Sequence, residues 1–213
     1  MRMNRAEILR RIVDISYRQK SAHLSSNLTT AGILCEIYES RSANEPVVLS
    51  NGHAGLALYV VLESILGIDA EDLFRRHGTH PNRDLSDGIY ATTGSLGMGL
   101  PIALGMAMGD REKRVFCIIS DGECAEGSVW ESLAVKTKYR VANLKVFANA
   151  NGFSSYDPVN RDLLARRLCA FDPDIAFRFT RCDTPFTQGV EGHYHVLNEE
   201  QKLWLLDHVE ECV

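Results

Sequence analysis

The chain has 213 residues, 45% of them hydrophobic and 24% charged, a balance typical of a globular protein that can bury one good core. Its formal net charge of −5, with no long Lys/Arg cluster, argues against a nucleic-acid-binding protein. Six cysteines without C-x-x-C spacing, together with no apolar run long enough for a signal peptide or a membrane span, predict a reduced, cytoplasmic protein with no membrane partner.

The first part of the chain predicts two helices, a strand and a third helix. Apolar residues recur at helical spacing over residues 5–19, and Thr29 and Thr30 are expected to cap a second helix that runs to Tyr38. The run Val47–Leu49 predicts a buried strand, followed by a polar turn and a helical stretch over residues 54–66. Ligands of α/β folds bind at such turns between a strand and a helix.

The rest of the chain continues this alternation. Residues 77–90 carry Gly, Pro, Asn and Asp without periodicity and are expected to form a loop. Helices are predicted over residues 94–108, 129–139, 161–168 and 199–209, and strands over residues 114–120, 144–149 and 176–180. The pattern predicts an α/β fold, a mainly parallel sheet with helices on both faces, within a single domain of residues 1–213.

Two polar residues follow neighbouring strands of this predicted sheet. Asp121 comes directly after one strand and Asn151 follows the next, so the two side chains are expected to converge at the carboxyl edge of the sheet. Carboxylate and amide oxygens suit Mg²⁺, which also binds phosphate oxygens. Gly122 would let a phosphate approach the backbone closely at the start of the next helix. The sequence therefore predicts a site for a metal-bound diphosphate.

The residues around this site resemble those of the transketolase family. The motif of residues 121–131 (DGECAEGSVWE), with Asn151 and Gly152 thirty residues later, is similar to the thiamine diphosphate signature of transketolases. Four more blocks resemble the family in the same order: residues 21–23, 48–54, 78–81 and 92–99. The resemblance covers residues 5–153 and implies the thiamine-diphosphate-binding fold of the diphosphate (PP) domain.

The resemblance implies a set of residues that hold thiamine diphosphate and its metal. Mg²⁺ or Ca²⁺ would be bound by the side chains of Asp121 and Asn151 and by the backbone carbonyl of Phe153. Further contacts to the cofactor are implied for Gly122 and His53 at the diphosphate, for Gly94 and Leu96 at the aminopyrimidine, and for Glu126 in an acidic network at a subunit interface.

The resemblance also implies a set of histidines that face the sugar substrate. Imidazoles there could hold hydroxyl groups and exchange protons. The catalytic residues implied are His23, His53, His80 and His193. His195 is the alternative to His193, because the pattern around residues 192–195 departs from the family.

Several positions differ from the family pattern or are expected to have no catalytic role. Ser120 stands where the family has Gly, and Asn149 where an acidic residue is common, so one negative charge near the metal is missing. The segment of about residues 154–213 is shorter than in the family. Glu123 and Glu131 are interpreted as solvated charges at a helix start, His77 as a surface residue, and Cys124 as a packing residue.

The glutamate that activates the cofactor in transketolases lies in a pyrimidine-binding domain, which this sequence is not expected to include. The resemblance therefore implies that a C-terminal transketolase subunit joins this one, with two copies of each (α2β2). The expected function is transfer of a two-carbon ketol unit from a ketose, expected to be phosphorylated, to an aldehyde. Two alternatives stay open: a subunit of another thiamine diphosphate carboligase or 2-oxo acid decarboxylase, and a non-catalytic scaffold subunit.

Overall fold

A parallel β-sheet with strand order β1-β2-β3-β4 forms the centre of the molecule. The computed structural model describes residues 3–154, 157–182, 184–187 and 189–209. The strands are β1 (Val47–Leu49), β2 (Val115–Ser120), β3 (Leu144–Ala150) and β4 (Ala176–Phe179). β1 and β2 are buried along their whole length, as expected when helices cover both faces of a parallel sheet. The predicted α/β fold with a parallel sheet is confirmed.

Helices pack against both faces of this sheet. Their bounds are α1 (Arg5–Arg18), α2 (Leu24–Ser40), α3 (Gly55–Leu66), α4 (Ala70–His77), α5 (Gly99–Gly109), α6 (Gly127–Lys138), α7 (Arg161–Phe171), α8 (Gly189–His193) and α9 (Glu199–His208). Alternate residues of β2 point to opposite cores. Phe116 and Ile118 pack with α1, α2 and α3, whereas Cys117 and Ile119 pack with α5, α6 and α7.

Helix α2 differs from its prediction, because it begins at Leu24 and extends to Ser40. Thr29 and Thr30 do not cap it but lie buried in its interior. The Thr29 hydroxyl donates to the Ser25 carbonyl 2.9 Å away, which satisfies this polar group within the helix. The residue before the helix, His23, adopts a left-handed backbone conformation (φ 61°). This conformation ends the preceding turn and starts α2 earlier than expected.

Two further differences concern the stretch between α3 and α5. Helix α4 was not predicted; Asp69 caps it by accepting a hydrogen bond from the Asp72 backbone N–H. The predicted helix over residues 94–108 begins only at Gly99, because Gly94 (φ 148°) and Gly97 (φ 76°) adopt backbone conformations that no helix contains. His77 is not a surface residue. Its side chain is 7% exposed and its Nε2 lies 2.8 Å from Asp87 Oδ2.

The cysteines and the helices also bear on the predicted environment of the protein. No disulfide joins the described cysteines, and Cys212 lies outside the described residues. Cys124 is half-buried, with its thiol 3.5 Å from the Ser120 carbonyl. Within the described part of the chain, no helix combines the length and the apolar character that crossing a bilayer requires.

Candidate active site

Asp121 lies at the carboxyl end of β2 and is 4% exposed. Its Oδ1 accepts a hydrogen bond from the Gly122 backbone N–H (3.0 Å), and its Oδ2 accepts one from the Gly152 backbone N–H (2.7 Å). The structure therefore joins the end of β2 to the loop after β3, as the strand order requires. Burial raises the pKa of Asp121 to about 6, although these two N–H groups and the charge of Arg161 act in the opposite direction.

The groups around Asp121 fit a hard divalent cation. A buried carboxylate costs free energy unless a positive charge offsets it, and a cation at Asp121 would do so. Asn151 and Phe153 line the same cavity of about 100 Å³. The Asn151 amide oxygen accepts a hydrogen bond from the Phe153 N–H (3.1 Å) and keeps a second lone pair. Oxygen donors of this kind suit Mg²⁺ or Ca²⁺.

Asn51 gives a second indication that a polar ligand belongs in this cavity. Its side chain is fully buried and lines the cavity, and its Nδ2 donates to the Thr30 hydroxyl (3.0 Å). Its Oδ1 has no hydrogen-bond donor among the described residues. A buried oxygen without a donor is rare in native proteins and is expected to meet a bound group or an ordered water.

Three of the predicted histidines converge beside this cavity. Ring centroids lie 5.4 Å apart for His23 and His53, 4.4 Å for His23 and His193, and 5.7 Å for His53 and His193. The His23 backbone N–H also donates to the His193 carbonyl (3.0 Å), which holds the end of α8 against the start of α2. We call His23, His53 and His193 the histidine cluster.

The other two candidate histidines lie outside the cluster. His80 is exposed, and its ring packs against Gly94, where a Cβ atom would lie 3.1 Å from the ring. His195 Nε2 lies 2.8 Å from the Gln201 side-chain oxygen at the start of α9. Of the two alternatives near the C-terminus, the structure therefore places His193, not His195, beside the cavity.

The histidine cluster is held in its neutral form. Burial, followed by the neighbouring histidine charges, lowers the pKa of His53 to about 3 and that of His23 to about 4. Burial also lowers the pKa of His193. A neutral imidazole has one N–H donor and one acceptor nitrogen, so each ring could both donate to and accept from a hydroxyl group near pH 7.

These low pKa values predict that acid destabilises the unligated chain. An unfolded histidine binds a proton as the pH falls below about 6.5, whereas folded His53 does not bind one until about pH 3. The free energy of unfolding is therefore expected to fall with decreasing pH from about 6.5, by up to roughly 1.4 kcal/mol per pH unit for a fully excluded proton. Urea unfolding at pH 7.5, 6.5 and 5.5 measures this dependence.

Asp121 has the opposite effect on the pH dependence of stability, because its pKa is raised and those of the histidines are lowered. A variant is therefore needed to isolate the contribution of His53 to that dependence. The raised pKa of Asp121 means that the folded chain gains a proton there first, which favours folding as the pH falls. The His53→Gln variant keeps Asp121 and is expected to lose less stability than the wild type between pH 6.5 and 5.5. An equal loss in both proteins would contradict the assignment of a neutral His53.

The loop that carries Gly94 and Leu96 packs directly on the turn that carries His53. A Cβ atom on Gly52 would lie 2.8 Å from the Gly94 backbone nitrogen, so this contact requires glycine. Leu96 lines the cavity. Glu126 is exposed, and its Cβ lies close to Gly97. The predicted cofactor residues at positions 53, 94, 96 and 122 therefore surround one end of the sheet.

Two polar residues at the site, Glu123 and Asn149, have environments that the sequence did not predict. Glu123 was predicted to be solvated, which is wrong: it is 0% exposed and accepts hydrogen bonds from buried groups. Asn149 has a structural reason to be neutral. Its Nδ2 donates to the hydroxyls of Thr29 (3.2 Å) and Thr30 (3.0 Å), and its Oδ1 accepts from the Thr180 hydroxyl (2.5 Å). An ionised carboxylate could accept from Thr180 but could not donate to Thr29 and Thr30.

Comparison with known proteins gives the family. The model of the transketolase, thiamine diphosphate binding domain matches residues 13–172. An apulose-4-phosphate transketolase subunit of Phocaeicola vulgatus is 28% identical over 162 residues, which cover 67% of this chain and 57% of that protein. The 6-deoxy-6-sulfo-D-fructose transketolase subunit SqwG of a Clostridium species is 32% identical over 149 residues, 61% of this chain and 54% of that protein.

A solved structure agrees with these matches at the level of the fold. The transketolase of Campylobacter jejuni superposes with a TM-score of 0.74 at 20% identity, covering 98% of this chain and 43% of that one. The chain spans a little more than half the length of the two transketolase subunits it matches. Because the family model covers well over half of its residues, the chain belongs to the transketolase thiamine diphosphate binding domain family, as its motifs predicted.

Proposed function

We propose that this chain is the diphosphate-binding subunit of a transketolase that moves a two-carbon ketol unit from a phosphorylated ketose to an aldehyde. The observation that carries the proposal is the neutral histidine cluster beside the buried Asp121. His53 and His193 line the same cavity as Asp121, so imidazoles able to bind hydroxyl groups lie beside a carboxylate able to bind a metal. An apolar 2-oxo acid would use fewer of these hydroxyl partners, which favours a sugar substrate.

The cofactor would be held by groups already described at the sheet edge. Asp121, Asn151 and the Phe153 carbonyl would bind Mg²⁺, and Gly122 with His53 would contact the diphosphate. A Cβ atom on Gly122 would meet its nearest neighbour, Ser154, only at 3.5 Å, so this glycine leaves room for a phosphate. When bound, thiamine diphosphate supplies the carbon nucleophile of the reaction.

The chain's own histidines would orient the sugar through hydrogen bonds to its hydroxyl groups. The low pKa values of His23 and His53 keep these rings uncharged in neutral solution, so each can donate one hydrogen bond and accept another, although a ring with so low a pKa is a weak base. The three rings come from the start of α2, the turn after β1 and the end of α8. Their ring centroids lie 4.4 to 5.7 Å apart, a spacing that would let them contact different hydroxyl groups of one substrate. His80 would complete the pocket from the loop that packs on Gly94.

We also propose that a second polypeptide with the pyrimidine-binding domain completes the active site, with two copies of each chain. Helix α5 supports this, because its sequence GLPIALGMAMG has no charged residue although part of the helix is exposed. Apolar exposure of this kind marks interfaces. The exposed residues of α5 and its N-cap are Met98, Pro101, Gly105, Met108 and Gly109. The two relatives described above are themselves named as subunits.

An assay of the assembled complex tests this function. The chain is co-purified with a polypeptide from the same genome that carries the transketolase pyrimidine-binding domain, and is supplied with thiamine diphosphate and Mg²⁺. We expect turnover with xylulose 5-phosphate and an aldehyde acceptor, and little turnover with pyruvate. Turnover on pyruvate alone would favour a 2-oxo acid reaction. Full activity of the Asp121→Ala complex would favour a non-catalytic scaffold role.

A further inference from the structure

The carboxylate of Glu123 is enclosed by hydrogen-bond donors from three separate segments. Its Oε1 accepts from the Ser50 hydroxyl (2.6 Å) and from the Gly97 backbone N–H (2.9 Å), and its Oε2 accepts from the Ser120 backbone N–H (3.0 Å). The side chain is 0% exposed. Glu123 does not line the cavity next to Asp121, so it has no direct contact with the space proposed for the cofactor.

Each of these donors adjoins a predicted cofactor residue. Ser50 begins the turn that leads to His53, Gly97 directly follows Leu96, and Ser120 directly precedes Asp121. One carboxylate therefore connects the three backbone segments that would hold the diphosphate, the aminopyrimidine and the metal.

The start of α5 depends on the same group. Its N-cap residue, Met98, makes no side-chain capping bond. Instead, the Ser50 hydroxyl accepts from the Gly99 N–H (3.1 Å) while donating to Glu123, and the Gly97 carbonyl accepts from the Ser128 hydroxyl (2.8 Å). Negative charge is favoured near a helix N-terminus. Glu123 and Ser50 thus cap α5 from a distance and fix the backbone next to Leu96.

Packing alone does not account for a carboxylate at this position. Burying it costs free energy, and an apolar side chain of similar size would avoid that cost but leave the Gly97 and Ser120 N–H groups without acceptors. The segments also meet at backbone contact, since a Cβ atom on Gly99 would lie 2.5 Å from the Ser50 Cα. Small shifts of one segment are therefore transmitted to the others.

We propose that Glu123 is a positioning residue, which holds the segments bearing His53, Leu96 and Asp121 in the arrangement that binds thiamine diphosphate. The proposal rests on the proposed function, because it assumes that these segments bind that cofactor. It assigns Glu123 no contact with the cofactor or the substrate. Its effect passes through Ser50, Gly97 and Ser120.

The isosteric variant Glu123→Gln gives a sharp test. An amide has one acceptor atom, so whichever way it turns, either the Gly97 N–H or the Ser120 N–H faces an NH₂ group instead of an oxygen. We expect the Kd for thiamine diphosphate with Mg²⁺, measured by calorimetry on the assembled complex, to rise about tenfold or more, which corresponds to about 1.4 kcal/mol. The matched control is Glu112→Gln in the connection between α5 and β2, where the side chain is exposed and no change is expected.

A measurement without cofactor separates positioning from general destabilisation. In the unligated chain, amide hydrogen exchange should accelerate selectively around residues 96–99 in Glu123→Gln, while the amides of α1 and α3 keep their protection. Exchange that accelerates throughout the chain, or an unchanged Kd with the wild-type exchange pattern, would overturn the proposal. If the wild-type complex bound no cofactor, the proposed function would be refuted. The exchange experiment would still show whether Glu123 orders residues 96–99.

A second variant covers the case in which Glu123→Gln does not fold. Ser50→Ala removes the hydroxyl that links Glu123 to Gly99, and it should raise the Kd and accelerate exchange in the same segment. If both variants fold, their double mutant should weaken binding by less than the product of the single effects, because they interrupt one network. Ser50→Ala with wild-type affinity and exchange would count against the proposal.

Discussion

The Asp121→Asn variant is expected to bind thiamine diphosphate about 100-fold or more weakly than the wild type in the presence of Mg²⁺, with a matching loss of ketol transfer. The carboxylate supplies the one formal negative charge among the proposed metal ligands, and its position between the Gly122 and Gly152 N–H groups fixes its orientation. An amide of the same shape keeps one oxygen but loses the charge, and even indirect changes around a metal commonly cost 10–100-fold in affinity. Calorimetric titration of the complex at fixed Mg²⁺ measures the effect.

The melting temperature of the unligated Asp121→Asn chain shows whether weaker cofactor binding comes from the missing carboxylate or from a destabilised fold. Burial already disfavours the charge on Asp121, as its raised pKa indicates, and a neutral amide removes that cost. The amide also turns its NH₂ group toward the Gly122 or the Gly152 N–H, so we expect a modest fall in the melting temperature of a chain that still unfolds cooperatively. The rise in melting temperature that cofactor and Mg²⁺ produce in the wild type should disappear. Asp110→Asn is the control and should keep that rise, because Asp110 follows the last residue of α5, away from the cavity, with its side chain 45% exposed. Wild-type cofactor affinity in Asp121→Asn would refute the metal site.

The position of Asp121 next to the loop after β3 could be predicted from the sequence on physical grounds. Parallel strands joined by one crossover helix lie side by side, so residues at their carboxyl ends must meet. Here Ser120 pairs with Asn149, and the Gly152 N–H reaches Asp121. The strands themselves were visible as short apolar, β-branched runs, and the predicted and observed bounds of β2 and β3 differ by one residue.

The histidine cluster could not be predicted in this way. His23, His53 and His193 lie far apart in the sequence, and nothing in their spacing brings them together; only the resemblance to transketolases indicated it. Their actual meeting depends on tertiary features, such as the left-handed backbone of His23 and its hydrogen bond to the His193 carbonyl. Residue type alone does not encode such contacts.

Glu123 shows why buried polar groups are hard to predict. A glutamate just after a strand and before a helix is usually solvated and favoured by the helix dipole. Glu131 is exposed as expected, although it lies inside α6 and not at its start. Glu123 is buried instead, because Ser50 and Gly97 approach from two other segments and satisfy its oxygens. The same applies to Thr29 and Thr30. Their local sequence favours a helix start, but Asn149, from a distant strand, satisfies them inside the helix.

The two histidines near the C-terminus allow a prediction with a control two residues away. We expect His193→Gln to lower kcat/KM for xylulose 5-phosphate by about 100-fold or more, the size of effect that a lost proton-transfer group has. His193 packs against His23, with ring centroids 4.4 Å apart, and lines the cavity with Asp121. We expect His195→Gln to change kcat/KM by only a few-fold, because His195 contacts Gln201 outside the cluster.

Steady-state kinetics of both complexes would show which step His193 serves. A rise in KM alone would mean that it holds the ketose with equal strength before and during the reaction, whereas a fall in kcat would mean that it acts in the transition state. Cofactor affinity, measured separately, should change less in His193→Gln than in Asp121→Asn, because His193 is not a proposed metal ligand. If His195→Gln lost more activity than His193→Gln, the assignment of His193 to the substrate pocket would be wrong, and the turn after α8 would have to rearrange when the partner subunit binds.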